Sequence, residues 1–441
     1  MSQTRFRRIV SIVFNNRKAP VVAVFSVFLA TRLFVILNST FPMLAVGIYG
    51  DAYAYYVPAG IAYVSGSLPD SVNPEHPPLA KYIIGLFAVY MHDARAASLI
   101  FGLLTAAIVF LLVKKLTTTI WAPIGSVWLL TFDPVNIGLS IYPMLDIFMI
   151  FFAMLSVYLL VSTKKPAQYA FVGVTVGLAL ACKWSAMFFA IPEVIYLVGL
   201  RRITQALGLV GGAALGYVLP YVPLILGRGI PQFVGLQLWM GRFMVNSHGP
   251  GGYTSLLSNL VSFIIFHSTT YAPVSGYDPK FHPEAIRFLG HNYISLADMI
   301  NPLITLAVFP VLYDETKQYL AHRETFRLLL LMIVGGAIIE EVIFPVSLVT
   351  WYDAPLIILT CILIADLLFK TEKRSMRGRL LVCLYLTLTA IWLLLATAIV
   401  LIRIANYRTL STASASLFQH QNMLKSIKLH NNVTEGYGAR G

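Results

Sequence analysis

The chain has 441 residues, of which 58% are hydrophobic and only 12% are charged. Soluble domains carry about 25% charged residues, so this composition excludes a soluble enzyme and a disordered chain. The mean hydropathy of +0.76 indicates an integral membrane protein. The formal charge of +13 does not indicate nucleic-acid binding, because Lys and Arg punctuate apolar runs instead of gathering on one surface.

Apolar runs of about 20 residues predict an all-α, polytopic transmembrane bundle of about eleven spanning helices. The predicted spans are 19–41, 94–113, 119–139, 143–162, 168–183, 185–200, 203–226, 294–313, 327–349, 354–369 and 380–402. Lys and Arg are retained in cytoplasmic loops, which places the N-terminal residues 1–18 in the cytoplasm. An odd number of spans then puts the tail, 403–441, on the outer side of the membrane.

The spans divide the chain into two transmembrane modules, 19–226 and 294–402. The first module contains a long first outer loop, 42–93, and the modules are separated by a second outer loop, 227–293. Within the first loop, residues 51–66 and 76–91 are Tyr-rich and mixed in polarity, which is typical of helices that lie in the membrane interface.

Ionisable residues near the membrane on the predicted outer face are the candidates for function, because a charge there is costly unless it is paired or faces water. The acids are Asp51, Glu75, Asp133, Asp146 and Asp353, and the bases are Arg95 and Lys183. One interpretation is mutual neutralisation. The other is a site for an anionic lipid headgroup, in which cations hold a phosphate while a carboxylate accepts a proton from a hydroxyl.

Four short motifs follow one another on this face. They are GDAYAYY at 50–56, NPEHPPLAK at 73–81, YPMLDIFMIFF at 142–152 and CKWS at 182–185. Over about residues 30–200, their order resembles that of the protein O-mannosyltransferase family and of related polyprenyl-phosphate sugar transferases of the GT-C class. One position departs from the family, since Ala52 stands where many members have Glu.

The resemblance implies a GT-C fold and a lipid-linked sugar donor, dolichyl or polyprenyl phosphate, with no other firm cofactor. It implies that Asp51 is the general base, that Glu75 lies beside the donor phosphate or a divalent metal, and that Asp146 and Lys183 belong to the donor site. The expected reaction transfers a hexose such as mannose to a hydroxyl acceptor, such as a protein Ser or Thr. Displacement in a single step inverts the anomeric centre, unlike the retaining two-carboxylate route.

Each of these residues also has a structural interpretation. Asp51 could cap the following helix, and Lys183 and Arg95 could extend to the interface instead of binding phosphate. Tyr55 and Tyr56 are either donor contacts or interfacial anchors. A metal shared by Glu75 with His248 or His267 is a further hypothesis, although no His-x-His spacing supports it.

Three alternatives stay open at this point. A transferase of the same fold could act on a lipid or glycan acceptor. A transporter or flippase would also carry intramembrane charges such as Glu340 and Glu341, although no duplicated halves are visible in the sequence. An inactive scaffold is the third, because of Ala52. The sugar, the acceptor and the oligomeric state do not follow from the sequence.

Overall fold

The computed structural model describes residues 18–38, 51–117, 119–248, 285–288, 292–295, 311–317, 319–320, 325–343, 354–369 and residue 391. These residues are almost entirely helical, which confirms the predicted helical bundle in its coarse form. Predicted spans 294–313 and 380–402 fall largely outside the described residues, as does Asp353.

The N-terminal part of the chain forms eleven described α-helices, of which the seventh carries most of the third motif. The first seven are α1 Lys18–Asn38, α2 Val57–Val64, α3 Leu79–Tyr90, α4 Arg95–Leu116, α5 Trp121–Phe132, α6 Pro134–Leu139 and α7 Leu145–Ser162. The next four are α8 Gln168–Cys182, α9 Met187–Gly199, α10 Ile203–Val218 and α11 Val222–His248. A π-helical turn, Ala52–Tyr56, precedes α2, and 3-10 turns at Trp184–Ala186 and Leu219–Tyr221 connect later helices. Two further described helices are α12 Thr325–Ile343 and α13 Ala354–Phe369.

Four of the described helical segments are long and apolar enough to cross a membrane: Lys18–Leu37, Arg95–Leu116, Leu145–Ser162 and Ile203–Asn246. The predicted total of about eleven spans is therefore not confirmed. Large apolar side chains on these segments remain exposed, among them Leu37 at 78% and Leu226 at 81%. Apolar surface of this kind suits contact with lipid better than contact with water.

The prediction of an all-α chain has one local exception. Ala285–Phe288 (β1) and Asn292–Ser295 (β2) pair antiparallel, with Ala285 opposite Ser295 and Phe288 opposite Asn292. These strands lie at the end of the predicted second outer loop. Ile, Phe and Tyr favour strands, and a three-residue connection that contains Gly290 is a hairpin signal, so the sequence carried this information.

The core of the bundle is formed by α4, α5, α7, α8 and α10. Helix α8 packs along α10, and α7 contacts both α8 and α4. The fully buried side chains of Leu130 and Phe148 lie in this core, together with Ile333 from α12 and Ile362 from α13. The two predicted transmembrane modules therefore share one hydrophobic core where the structure describes them.

Two helices of the first outer loop, α2 and α3, form a tight hairpin beside the bundle. They meet at Gly60 and Gly85, where a Cβ added to either glycine would overlap backbone atoms of the opposite helix. Helix α3 also contacts α7 and α8. The predicted helicity of 51–66 and 76–91 is thus borne out over most of both segments, and α3 fixes the hairpin to the core.

We expect Gly85→Ala to destabilise the protein. The added methyl group must push α2 away from α3, and overpacking of this kind costs about 1–3 kcal/mol. Gly211→Ala in α10 is the matched control, because nothing lies within 4 Å of a Cβ at that position. Thermal unfolding in detergent should show a lower Tm for Gly85→Ala and an equal or higher Tm for Gly211→Ala. Equal Tm values for the two variants would contradict the close contact.

Candidate active site

Asp51 begins the described part of the first outer loop. It directly precedes the π-helical turn, its own backbone is helical, and its carboxylate makes no capping hydrogen bond to that turn. The interpretation of Asp51 as a helix cap is therefore not supported. The side chain is half-buried. A π-helical turn at this point is notable because such turns occur frequently at functional sites.

Lys183 and Asp146 form a buried ion pair. Lys183 Nζ donates a hydrogen bond to Asp146 Oδ1 at 2.6 Å, and the two side chains are only 6% and 2% exposed. A carboxylate and an ammonium at this depth stabilise each other because neither can be hydrated fully. Asp146 thus holds the ammonium group of Lys183 in a fixed position.

Helix geometry brings these two residues to the same end of the bundle. Helices α7 and α8 are packed neighbours joined by the short connection 163–167, so the beginning of α7 lies beside the end of α8. Asp146 is in the first turn of α7, where a negative charge interacts favourably with the helix dipole. Lys183 has an extended backbone, with φ −159° and ψ 138°, and interrupts the helical path between α8 and the next 3-10 turn.

Three charged side chains act on the Asp51 carboxylate: Lys183, Asp146 and Glu75. Burial raises the pKa of Asp51 above its ordinary value, Lys183 opposes this increase, and Asp146 and Glu75 add to it. We call these four residues the Lys183 cluster. A carboxylate whose pKa is raised in this way is a better proton acceptor than an exposed Asp, which suits a general base.

Glu75 is carried by the connection between α2 and α3, residues 65–78. Lys81, at the start of α3, donates hydrogen bonds to two carbonyls of this connection, those of Asn73 and His76. Tyr63, on α2, donates to two more. The loop that presents Glu75 to the cluster is therefore braced by side chains from both flanking helices.

The two candidate tyrosines differ in their surroundings. Tyr56 is 5% exposed and its ring meets the ring of His76 edge-on, with 5.9 Å between centroids. Tyr55 is 49% exposed. Tyr56 thus packs against the second motif inside the loop, whereas Tyr55 points outward, as an interfacial anchor would.

Arg95 lies at the start of α4 and pairs with Asp93. Their closest atoms, Arg95 Nη2 and Asp93 Oδ2, are 2.8 Å apart. The hydrogen bonds from Arg95 lower the pKa of Asp93, although burial acts in the opposite direction. Arg95 also interacts electrostatically with Tyr53 and Tyr142. A contact of Arg95 with the donor phosphate stays a prediction.

No group of three or more His, Cys, Asp or Glu side chains that could hold a metal ion occurs in the described residues. The ammonium group of Lys183 neutralises the Asp146 carboxylate. The side chain of His248 and all of His267 lie outside the described residues, so their part in a metal site stays a prediction.

The C-terminal part of the chain contributes an acid to the same region. Glu340, on α12, is 4% exposed and interacts electrostatically with both Lys183 and Asp146. The side chain of Glu341 is outside the described residues. One of the two adjacent acids that stood out in the sequence as intramembrane charges therefore has a basic neighbour.

A second intramembrane charge from the sequence, Arg32, has a structural role. Its guanidinium donates to the carbonyls of Leu130 and Thr131 and to Asn136 Oδ1. These carbonyls are at the end of α5, where backbone acceptors have no partner within the helix. Asp133 accepts a hydrogen bond from the backbone N–H of Asn136 at 2.7 Å and caps α6. Asp133 thus belongs to this structural group and is separate from the Lys183 cluster.

The first outer loop is also attached to α11. Asp70 Oδ2 accepts hydrogen bonds from Arg228 Nη1 at 2.7 Å and from Gln232 Nε2 at 2.9 Å. Between these donors, α11 kinks at Gly229, whose φ of +85° and ψ of 169° are open essentially to glycine alone. The kink falls close to residue 227, where the sequence predicts the start of the second outer loop.

We expect Gly229→Ala to weaken this attachment, because the new side chain is strained by about 1–3 kcal/mol in the observed backbone conformation. Asp70→Asn, which removes the shared acceptor charge without backbone strain, should have a milder effect of the same sign. Protease susceptibility of the first outer loop in detergent is the measurement. If the first outer loop resists the protease as well in both variants as in the wild-type protein, the contact does not hold the loop.

Part of the chain, which includes two residues of the site, is similar to a known protein family. Residues 84–218 match the family model of dolichyl-phosphate-mannose-protein mannosyltransferases. The match includes the motifs that carry Asp146 and Lys183, and it confirms the resemblance over this part of the chain. No curated protein sequence gives a significant match.

Among the solved structures with a similar fold are two of the GT-C class. The oligosaccharyltransferase AglB from Archaeoglobus fulgidus, in complex with an inhibitory peptide and a dolichol-phosphate, aligns with a TM-score of 0.52 at 15% identity over 86% of this chain. ArnT from Cupriavidus metallidurans, bound to undecaprenyl phosphate, aligns with a TM-score of 0.57 at 12% identity over 84%. The chain spans only 55% of the AglB chain and 63% of the ArnT chain. These likenesses show the fold.

Three residues near the site were not predicted as functional: Lys81, Asp70 and Arg228. Lys81 carried a signal, since it is the single charged residue in the otherwise apolar helix LAKYIIGLFAVY. The contact between Asp70 and Arg228 joins residues 158 positions apart, and nothing in the sequence pairs them.

Proposed function

We propose that this protein is a membrane glycosyltransferase that transfers a sugar from a polyprenyl-phosphate carrier to a hydroxyl acceptor. The observation that carries the proposal is the Lys183 cluster, in which a half-buried carboxylate, Asp51, lies within electrostatic range of a buried cation held by Asp146. A general base and a phosphate-binding cation are the two groups that this reaction needs. The family match and the shared GT-C fold support the same class of enzyme.

The chemistry requires one carboxylate and one cation. Asp51 accepts the proton of the acceptor hydroxyl while the acceptor oxygen attacks the anomeric carbon of the sugar. The bond from that carbon to the phosphate oxygen breaks, and the lipid phosphate leaves with the electron pair. Lys183 stabilises the negative charge that develops on the phosphate. Asp51 afterwards returns its proton to water, and the single displacement inverts the anomeric configuration.

The finer parts of the proposal are the sugar and the acceptor. The description of the matching family supports mannose on a dolichyl phosphate and a protein acceptor. A Ser or Thr hydroxyl is the acceptor group that the resemblance implies. The lipid phosphates in the AglB and ArnT structures support a polyprenyl-phosphate carrier, and the peptide in AglB supports a polypeptide acceptor. The distribution of Lys and Arg supports a cytoplasmic N-terminus and a site on the outer face.

The test uses purified full-length protein in nanodiscs with dolichyl- or undecaprenyl-phosphate mannose labelled in the sugar. A Ser/Thr peptide, a lipid alcohol and a soluble glycan are offered as acceptors in separate reactions. We expect labelled glycopeptide whose anomeric configuration is opposite to that of the donor. Transfer to the lipid or glycan alone would replace the acceptor assignment and keep the enzyme class.

The transporter alternative makes a different prediction. Uptake or flipping of the lipid-linked sugar in proteoliposomes, with no transfer to any of the three acceptors, would overturn the proposed function. The buried position of Glu340 favours the enzyme, because this acid interacts electrostatically with Lys183 and Asp146 of the candidate site.

A further inference from the structure

We propose that Lys81 is a positioning residue that holds the loop carrying Glu75 against the Lys183 cluster. The effect of Lys81 on catalysis rests on the proposed function, whereas its effect on the structure of the loop does not. The expected reaction gives Lys81 no contact with substrate, so Lys81 acts by arranging the site.

The side chain of Lys81 is fully buried, with 0% exposure. Its Nζ donates a hydrogen bond to the carbonyl of His76 at 2.7 Å and another to the carbonyl of Asn73. Asn73 has a φ of +47°, a backbone conformation that is uncommon for a residue with a side chain. Burial of an ammonium group is costly, and here the cost is offset by two hydrogen bonds that fix the residues on either side of Glu75.

Tyr63 completes the brace from the opposite helix. Its hydroxyl shares its one proton between the carbonyls of Pro69, at 3.0 Å, and of Val72. Lys81 Nζ lies 5.9 Å from the centre of the Tyr63 ring, close enough for a cation–π contact. Tyr63 therefore holds the first half of the loop, and Lys81 holds the half that contains Glu75.

Helix α3 connects this brace to the donor side of the site. Ala80, the neighbour of Lys81, is fully buried, and its backbone lies within hydrogen-bonding reach of the Cys182 side chain. Cys182 directly precedes Lys183. A short path of contacts thus leads from Lys183 through Cys182 and Ala80 to Lys81, and from there to the loop.

Charge connects Lys81 to the cluster as well. Glu75 interacts electrostatically with both Lys81 and Asp51. Other titratable side chains near Lys81 include Tyr63 on α2, Tyr82 on α3, His76 in the loop and Cys182, which lies beside Ala80. Burial lowers the pKa of Lys81 to about 7, and Glu75 partly opposes this decrease.

The pKa of Lys81 near 7 predicts how activity depends on pH. As the pH rises through about 7, Lys81 in the folded protein loses its charge, while the neutral amine keeps two N–H donors for its two carbonyls. The loop therefore stays bonded, but Glu75 loses its cationic neighbour. An alkaline decrease in activity that begins near pH 7 is the expected result.

The structural part of the proposal is tested by hydrogen exchange of the full-length protein in nanodiscs. Lys81→Met keeps the length of the side chain and removes its donors. We therefore expect amide exchange of Asn73, Glu75 and His76, the residues of 73–78 that carry a backbone N–H, to become at least tenfold faster. Tyr63→Phe is the matched control and should accelerate exchange of residues 70–72 instead. Unchanged exchange at 73–78 in Lys81→Met would overturn the proposal, whether or not the wild-type protein transfers sugar.

The catalytic part is tested with the transfer assay. We expect Lys81→Met to lower kcat about 100-fold, while the KM for the lipid donor changes less than about threefold. The loop contacts the turn that follows Asp51 through the rings of His76 and Tyr56, so release of the loop displaces the Asp51 carboxylate, and a displacement of 1 Å can cost about this factor. Lys81→Arg, which stays charged at all relevant pH values, should keep kcat within about tenfold and lose the decrease near pH 7. A wild-type kcat in Lys81→Met, or an unchanged alkaline decrease in Lys81→Arg, would overturn the role of Lys81. Absence of transfer by the wild-type protein would instead count against the proposed function.

Discussion

Asp51→Asn is expected to lower kcat for sugar transfer by about 10²–10⁴-fold, the usual contribution of a general base. The amide cannot accept the proton of the acceptor hydroxyl, while the ion pair of Lys183 and Asp146 remains in place. The KM for the lipid donor should therefore change little. Turnover of the labelled donor, measured over a range of donor concentrations, separates the two parameters.

The pH dependence gives this prediction a second readout. Because burial raises the pKa of Asp51, the loss of activity on acidification should occur at a higher pH than for an exposed Asp. Lys183 lowers this pKa and Asp146 raises it. In the residual activity of Lys183→Gln, the acidic decrease should thus move to higher pH, and in Asp146→Asn it should move to lower pH.

Two variants serve as controls for Asp51. Asp51→Glu keeps a carboxylate and should retain more activity than Asp51→Asn. Lys114→Gln neutralises an exposed residue at the far end of α4 and should behave as wild type. A wild-type rate in Asp51→Asn would show that another group accepts the proton, and the assignment of the base would then fail.

The fold was predictable where the length of an apolar run determines that it forms a helix. The spans predicted at 94–113 and 143–162 correspond to Arg95–Leu116 and Leu145–Ser162, because an uninterrupted apolar run has few alternatives to a helix. The span predicted at 119–139 is two helices, Trp121–Phe132 and Pro134–Leu139. Asp133 and Pro134 separate them, since Asp favours the N-cap and Pro the first helical position.

The site was predictable to the extent that topology alone brings residues together. Asp146 and Lys183 lie at facing ends of α7 and α8, so their proximity follows from the short connection between the helices. Arg95 was placed at the same level by the same reasoning, yet it pairs with its near neighbour Asp93. The depth of a residue along the membrane normal follows from the sequence. The side of the bundle on which the residue lies depends on packing between residues that are distant in the chain.

The pairing of Lys183 with Asp146 raises the question of whether this pair is structural or functional. Removal of one partner from a buried pair leaves an uncompensated charge and costs about 3–5 kcal/mol. We therefore expect Lys183→Gln and Asp146→Asn each to lower the Tm of the protein in detergent and to reduce sugar transfer. Taken singly, these variants cannot separate a loss of stability from a loss of chemistry.

The double variant Asp146→Asn with Lys183→Gln separates the two effects. Neither charge of this pair is then left unpaired, although Glu340 loses its basic neighbour, so the Tm should recover part of the loss caused by either single variant. Sugar transfer should remain at least about 100-fold below wild type, because no cation is left to stabilise the departing lipid phosphate. Recovery of both Tm and transfer would show that the ion pair only neutralises charge at the bundle end. Recovery of Tm alone assigns Lys183 to the chemistry and leaves Asp146 as the group that holds it in place.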